Sequence, residues 1–350
     1  MEKISVAVLG ATGTVGQKFI TLLENHPFFE VRELVASSRS AGKPYREAVS
    51  WKQDRFIPET VGDLIVKTTD DKLESRILFS GMDAEVAGPA EEAYAERGHF
   101  VISNSKNHRM DKTVPIIIPE VNSDHFEMIK AQPYKGAIIT NSNCSTMFLA
   151  MVLAPLHKAF GVEKVFVTTM QAVSGAGYPG VASMDILGNV IPFIGGEEAK
   201  MECEAQKILA EMKDGELIPA PFVISAHCNR VPVFDGHTES VSILFKNKPT
   251  VDQVKETLRA FKGIPQEKQL PFAPKQPILV FEEENRPQPA RDAWKENGMS
   301  ACVGRIRQCP LFDIKMTVMG HNTVRGAAGA AILNAETLVA LGYLNEGKAK

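Results

Sequence analysis

The chain has 350 residues, long for a single hydrophobic core and comfortable for two domains. It is 44% hydrophobic and 23% charged, with a net charge of -3. That balance supplies no electrostatic footprint for nucleic acid or an anionic membrane surface, so a small-molecule substrate is expected.

The opening residues, Met1 to Leu9, lack the apolar stretch and cleavage site of a signal peptide. No run of about 18 uncharged apolar residues occurs, so no membrane span is expected. The cysteines at 144, 203, 228, 302 and 309 are odd in number and scattered, with no Cys-x-x-Cys pair. No metal site and no disulfide framework are expected, and a reducing cytoplasm suits them.

The first third alternates apolar runs with amphipathic stretches. Ile4–Leu9 reads as a buried strand, and 15–24 places Val15, Phe19, Ile20, Leu22 and Leu23 at helical spacing. Further strands are predicted at 31–36, 76–79, 100–103 and 137–140, with a helix at 85–98. This alternation is the pattern of a doubly wound parallel sheet, an α/β Rossmann domain. Beyond Cys144 the texture changes. Residues 147–160 form a long apolar helix candidate, 162–173 and 239–245 read as strands of a mixed or antiparallel sheet, and a helix is expected near 251–261. The proline-rich stretch 262–289 reads as an ordered loop with an edge strand near 278–281. Small residues over 321–341 suit a helix packed closely on a sheet.

Three local patterns carry chemistry. Gly10, Thr12, Gly13, Thr14, Val15 and Gly16 lie in a Gly-x-x-Gly-x-x-Gly turn between the first strand and first helix, where backbone N–H groups can approach a pyrophosphate. The second strand ends at Ser37, Ser38, Arg39 and Ser40, with no carboxylate to hold a ribose 2′-hydroxyl. Hydroxyls and a guanidinium suit a 2′-phosphate, so NADP is expected over NAD.

The third pattern is Cys144 among Asn141, Ser142, Asn143, Ser145 and Thr146, directly before the long apolar helix. A cysteine at that N-terminal turn is expected to ionise readily, because free N–H groups and the helix dipole favour the thiolate. The other four cysteines read as small buried hydrophobes. Its proton partner is open: His237 stands before an alternating strand, and His227, His321 and His108 compete with it.

Taken in order, Gly10–Gly16, Ser37–Ser40, Asn143–Thr146, Gln171–Gly177, Arg230 followed by His237, and Asn322–Ala328 resemble the aspartate-β-semialdehyde dehydrogenase family, in its archaeal and fungal-like branch. The resemblance runs from about residue 3 to about residue 343. It implies reversible, NADPH-dependent conversion of L-4-aspartyl phosphate to L-aspartate 4-semialdehyde and phosphate, a step toward lysine, methionine and threonine. It also implies a thioester on Cys144, with His237 as general acid/base and Gln171 orienting the reacting group. By the same resemblance Arg230 grips the α-carboxylate, Glu197 the α-ammonium, and Lys200 and Arg109 the phosphate with help from Asn143. Ser174, Gly175 and Asn322 approach the nicotinamide. Read without the family, Glu197 and Lys200 are an i,i+3 pair on a solvated helix face, and Arg109 is a surface arginine. The stretch before Arg109 departs from the common bacterial version, so Lys106 or His108 could share the phosphate role.

Rival readings are a malonyl-CoA reductase, an N-acetylglutamyl-phosphate reductase, and a non-catalytic NADP-binding sensor. The expected architecture is a Rossmann domain of residues 1–143 completed by 320–350. Residues 144–319 would form an α+β catalytic and dimerisation domain, in a homodimer or homotetramer.

Overall fold

A computed structural model describes residues 2–213 and 215–344. Residues 345–350, the tail of the expected nucleotide-binding unit, lie outside the described residues.

The N-terminal strands are β1 (Ile4–Leu9), β2 (Phe29–Val35), β3 (Ile77–Ser80), β4 (Phe100–Ser103) and β5 (Ala137–Thr140), all parallel in the order β2-β1-β3-β4-β5. Helix α1 (Thr14–Leu23) follows β1, and α2 (Ala84–Glu96) follows β3. Both faces of such a sheet are covered, which is why β3, β4 and β5 are buried at every position rather than alternating. The order reverses between β1 and β3, and ligands bind outside strand ends at such a switch point.

Helix α3 (Cys144–Phe160) leaves β5 and runs through the centre of the molecule, buried along most of its length. Beyond it lies a six-stranded mixed sheet. Its strands are β6 (Val162–Gln171), β9 (Val223–Arg230), β10 (His237–Phe245), β11 (Ile278–Val280), β12 (Ala301–Gln308) and β13 (Ile314–Gly320). A separate hairpin pairs β7 (Glu211–Lys213) with β8 (Glu216–Ile218). The six-stranded order is β11-β12-β13-β10-β6-β9, with β6/β9 and β11/β12 parallel and the rest antiparallel. β11 is at the edge, where the proline-rich stretch predicts it. Helices α4 (Glu197–Ile208) and α5 (Val251–Ala260) belong to this half, and their buried residues join α3 in one core with the sheet.

The helix expected over 321–341 forms only in part. Val324–Ala328 is a turn of π-helix, and α6 (Gly329–Ala340) continues from it. Ala331, Ile332, Ala335 and Leu338 of α6 pack with Val6, Val8 and Ile102, so the small side chains let it lie close to the N-terminal sheet. The π turn is anchored by Arg325, which donates two hydrogen bonds to Glu120, at 2.9 and 2.6 Å, with both side chains fully buried. Breaking such a pair from one side costs about 3–5 kcal/mol, since the remaining charge has no water to turn to.

Candidate active site

The glycine-rich turn is built by backbone necessity. Gly10 has φ +73°, and a Cβ there would meet the Gly81 carbonyl at 2.7 Å. At Gly16 a Cβ would stand 2.2 Å from the Gly10 carbonyl. Gly13 caps α1 without any side-chain hydrogen bond, so the first N–H groups of the helix stay open to an anion. Past β2, Ser37 to Arg39 are exposed, and Arg39 has no partner among the described residues. These features fit a pyrophosphate on the turn and a 2′-phosphate at Arg39.

Cys144 is the first residue of α3. The side chain of Asn143 caps the helix, its Oδ1 accepting from the N–H groups of Ser145 at 2.9 Å and Thr146 at 3.0 Å. Such a cap contributes about 1 kcal/mol and defines where the helix starts. The other end of the same amide donates to Glu197 Oε1 at 2.7 Å. Glu197 also pairs with Lys200 at 3.0 Å, and Gln171 donates to the Thr169 hydroxyl at 3.3 Å nearby. Burial pushes the Glu197 carboxyl upward, but Lys200, Asn143 and Gln171 outweigh it and its pKa falls below the ordinary range.

The ends of three strands complete the arrangement. Arg230 on β9 is the register partner of Gln171 on β6, and Thr238 on β10 lies opposite Met170, which sets His237 alongside Gln171. Arg230 donates to the Ala172 carbonyl at 2.7 Å, and the Ala172 N–H donates to His237 Nδ1 at 3.1 Å. Gly175 is pressed against both residues: a Cβ there would be 2.9 Å from His237 Nε2 and 3.0 Å from Arg230 Nη1. Gly326 of the π turn backs onto Cys144, 2.9 Å from its Cβ by the same measure. Asn322 donates to the Ser174 hydroxyl at 2.8 Å and accepts from the Gly236 N–H at 2.8 Å, tying these segments together.

A backbone N–H can only donate, so His237 Nδ1 must be an acceptor and the neutral ring carries its proton on Nε2. That Nε2 is buried and has no partner among the described residues. Burial, and then the charge of Arg230, press the ring's pKa down to about 3, so it is neutral at physiological pH. Of the competing histidines, His321 lies near His237, where its charge adds to the fall of that ring's pKa. His227 is exposed, His321 stacks edge-on against Trp294, and His108 is held by Asp111 at 2.9 Å and the Gly88 carbonyl at 3.3 Å. Lys106 is exposed.

Three expectations need correction. First, the unliganded Cys144 thiol is not acidified. Burial pushes it up to about 12 and Glu197 adds to the rise, while Arg109, Arg230 and the Ser145 N–H pull the other way and lose. The helix terminus is real, but desolvation of the sulfur outweighs it. Second, Cys203 and Cys309 are half-buried; only Cys228 and Cys302 match the buried reading. Third, Glu197 and Arg109 are not solvated surface groups, being only 5% and 7% exposed. Periodicity cannot reveal this, because a charged helix stripe is buried only when another segment covers it.

Sequence reasoning also missed Glu204, Lys207 and Glu239. Glu204 and Lys207 continue the Glu197–Lys200 stripe at helical spacing, a signal present in the sequence. Glu239 stands two residues beyond His237 on β10, fully buried, with neither carboxyl oxygen hydrogen bonded among the described residues. Nothing in the strand's alternation sets it apart.

Comparison with known proteins agrees with this geometry. Residues 5–129 match the semialdehyde dehydrogenase NAD binding domain, and residues 153–325 match the semialdehyde dehydrogenase dimerisation domain. The aspartate-semialdehyde dehydrogenase of Methanothermobacter thermautotrophicus is 48% identical over 343 residues, covering 96% of this chain and 99% of that one. That of Schizosaccharomyces pombe is 49% identical over 354 residues, covering 97% and 99%. The crystal structure of the Candida albicans aspartate-semialdehyde dehydrogenase with NADP superposes with a TM-score of 0.90 at 44% identity, over 97% of this chain and 99% of that chain. Matched over nearly its full length by these relatives, the chain belongs to the aspartate-semialdehyde dehydrogenase family.

Proposed function

We propose that the chain catalyses the reversible NADPH-dependent reduction of L-4-aspartyl phosphate to L-aspartate 4-semialdehyde and phosphate. One observation carries this reading: the cap of the nucleophile's helix, Asn143, is hydrogen bonded to Glu197, while Gln171, Arg230 and His237 meet at neighbouring strand ends. A carboxylate, an arginine, a thiol and a neutral imidazole therefore converge on a volume suited to a small zwitterion.

The substrate roles follow from charge. Arg230 offers paired donors to the α-carboxylate, and Glu197 offers an acceptor to the α-ammonium. Arg109 and Lys200, with Asn143 beside them, face the leaving phosphate. Binding an ammonium at Glu197 cancels the negative charge that opposes the Cys144 thiolate, so substrate itself helps ionise the nucleophile.

Cys144 sulfur then attacks the acyl carbon, the carbon–oxygen bond to phosphate breaks, the thiol proton leaves with the departing phosphate, and a thioester remains. When bound, the nicotinamide cofactor supplies the hydride that reduces this thioester. His237 Nε2–H shares its proton with the oxygen as negative charge develops there and keeps it when the carbon–sulfur bond breaks, so it serves as acid and then base on one oxygen and ends neutral in either direction. Cleavage of the carbon–sulfur bond releases aldehyde and returns Cys144 as thiolate. The residues that would hold the cofactor are Gly10, Thr12, Gly13, Thr14, Val15 and Gly16 at the pyrophosphate. Ser37, Ser38, Arg39 and Ser40 would take the 2′-phosphate, and Ser174, Gly175 and Asn322 the nicotinamide.

We assign cofactor binding to residues 1–143 with 320–344, and catalysis and subunit pairing to 144–319. The match of 153–325 to a dimerisation domain supports a homodimer, alone or paired into a tetramer. Unpaired cysteines suit a reducing cytoplasm. The deciding experiment is phosphate-dependent NADPH formation from L-aspartate semialdehyde, run beside malonyl-CoA-dependent NADPH oxidation. Activity in the second assay alone would refute the substrate assignment.

A further inference from the structure

Helix α4 presents four charged side chains along one stripe: Glu197, Lys200, Glu204 and Lys207. The first two meet the substrate in the reading above. Glu204 does not reach that volume, yet it is only 2% exposed and its two oxygens are spent on two separate parts of the site. Oε1 accepts from Arg109 Nη1 at 2.9 Å, and Oε2 accepts from the backbone N–H of Asn143 at 2.6 Å. One carboxylate thus joins the proposed phosphate arginine to the residue immediately before the nucleophile.

The surroundings of Arg109 give this bond a direction. Its Nη2 donates to the Asn104 carbonyl at 2.9 Å. Its Nε–H is buried and has no partner among the described residues. With Nη1 on Glu204 and Nη2 on Asn104, the guanidinium is held in one orientation, its buried Nε–H still unspent. One turn further along α4, Lys207 donates to the carbonyls of Arg109 at 2.6 Å, Asp111 at 2.8 Å and Val114 at 2.7 Å. The same helix therefore holds both the backbone and the head group of Arg109. A carboxylate this deeply buried is costly unless each oxygen is satisfied, so its placement between these two donors is specific.

We propose that Glu204 is a positioning residue for the reaction. It aims the Arg109 guanidinium at the transferred phosphate and, through the Asn143 N–H, sets the start of the helix that presents Cys144. The phosphate side would then be registered against the nucleophile by one side chain that touches neither substrate nor cofactor. This rests on the functional reading above, in which Arg109 binds phosphate and Cys144 attacks.

The test is Glu204→Gln, which keeps the shape and one acceptor oxygen but removes the charge and places an amide N–H₂ against a donor. In semialdehyde oxidation the variant is expected to raise the KM for phosphate by about tenfold or more and to lower kcat, the loss that follows from removing a charge-assisted hydrogen bond. The KM for the semialdehyde should change little, because Arg230 and Glu197 are untouched. An unchanged phosphate KM, or equal rises in both KM values, would overturn the proposal in favour of a merely structural carboxylate. If the amide variant does not fold, Glu204→Asp keeps the charge but withdraws it by one methylene. It should show the same selective loss of phosphate affinity, and its failure to do so counts equally against the idea. Combined with Arg109→Gln, the Glu204→Gln change should add nothing further to the phosphate KM; an additive effect would show that Glu204 does not act through Arg109.

Calorimetric binding of inorganic phosphate, which needs no turnover, separates the two hypotheses. A wild-type chain that is inactive on the semialdehyde, yet binds phosphate in a Glu204-dependent way, would refute the substrate and leave the positioning role standing.

Discussion

Asn143 Nδ2 lies 2.7 Å from Glu197 Oε1, so the residue that starts the nucleophile's helix is held by the carboxylate proposed to receive the substrate's ammonium. The link makes substrate binding and thiol placement a single arrangement. Desolvation is the main reason the resting thiol is quiet, and the Glu197 carboxylate, although paired with Lys200, adds to it.

That quietness can be measured. Cys309 lies in a turn where burial raises its pKa a little but the N–H groups of Phe312 and Leu311 outweigh it, so its thiol is shifted below the ordinary value. Iodoacetamide at about neutral pH, with no substrate present, should therefore modify Cys309 before Cys144, read by peptide mapping. Cys309→Ser should remove the fast phase and leave turnover intact. Fastest labelling of Cys144 in the free protein would mean that its sulfur rests as thiolate and that the burial argument is wrong.

Arg39 is exposed and unpaired, so changing it should not disturb the fold. Arg39→Asp puts a carboxylate where a 2′-phosphate would sit and a ribose hydroxyl could be held. The ratio of kcat/KM for NADP over NAD should fall by about tenfold or more. A ratio that does not move would place the 2′-phosphate elsewhere.

Glu239 gives a signed pH effect. Burial, and then the charge of Glu197, hold its carboxyl well above the usual value of 4.5. The folded protein therefore keeps a proton that the unfolded chain releases, and stability is lost as pH rises from the unfolded value toward the folded one. Glu239→Gln removes that loss. The unfolding free energy of the variant relative to wild type should climb between about pH 5 and pH 7, with a slope of up to about 1.4 kcal/mol per pH unit, read by denaturant unfolding. A difference that stays flat with pH would show that the carboxylate is ionised and paired in the folded state.

Arg325 and Glu120 form a fully buried pair under the π turn that carries Gly326 against Cys144. Arg325→Met leaves Glu120 buried without its partner and should cost about 3–5 kcal/mol in denaturant unfolding. The double change Arg325→Met with Glu120→Met should recover much of that stability. Recovery of stability without recovery of kcat would assign the pair to shaping the π turn, whereas an undamaged single variant would contradict its burial.

Local order was legible because it depends on near neighbours. The period of the apolar residues marked β1, α1 and α3, and the polar cluster ahead of α3 marked a helix start, with Asn143 two and three residues before the N–H groups it caps. The glycine-rich turn was legible for the same reason, since Gly10, Gly13 and Gly16 meet one another within a single turn. The choice of His237 over His227 needed more. Strand periodicity puts alternate residues on opposite faces, but which face meets Gly175 and Arg230 depends on how β6, β9 and β10 pair.

What the sequence determined by itself was therefore the nucleotide-binding half's strand–helix alternation, the glycine-rich turn and the position of the thiol at a helix start, each a matter of short-range sterics and hydrogen bonding. Strands β9, β12 and β13 were not read from it. Tertiary structure alone decided the electrostatics. Arg109 and Glu204, 95 positions apart, become a buried pair only when α4 packs over the 104–114 loop. The half-buried Cys144 thiol is pushed up rather than down because desolvation and the distant Glu197 outweigh the helix terminus. Charge in a protein takes its energy from whatever replaces water around it, and only the folded chain supplies that replacement.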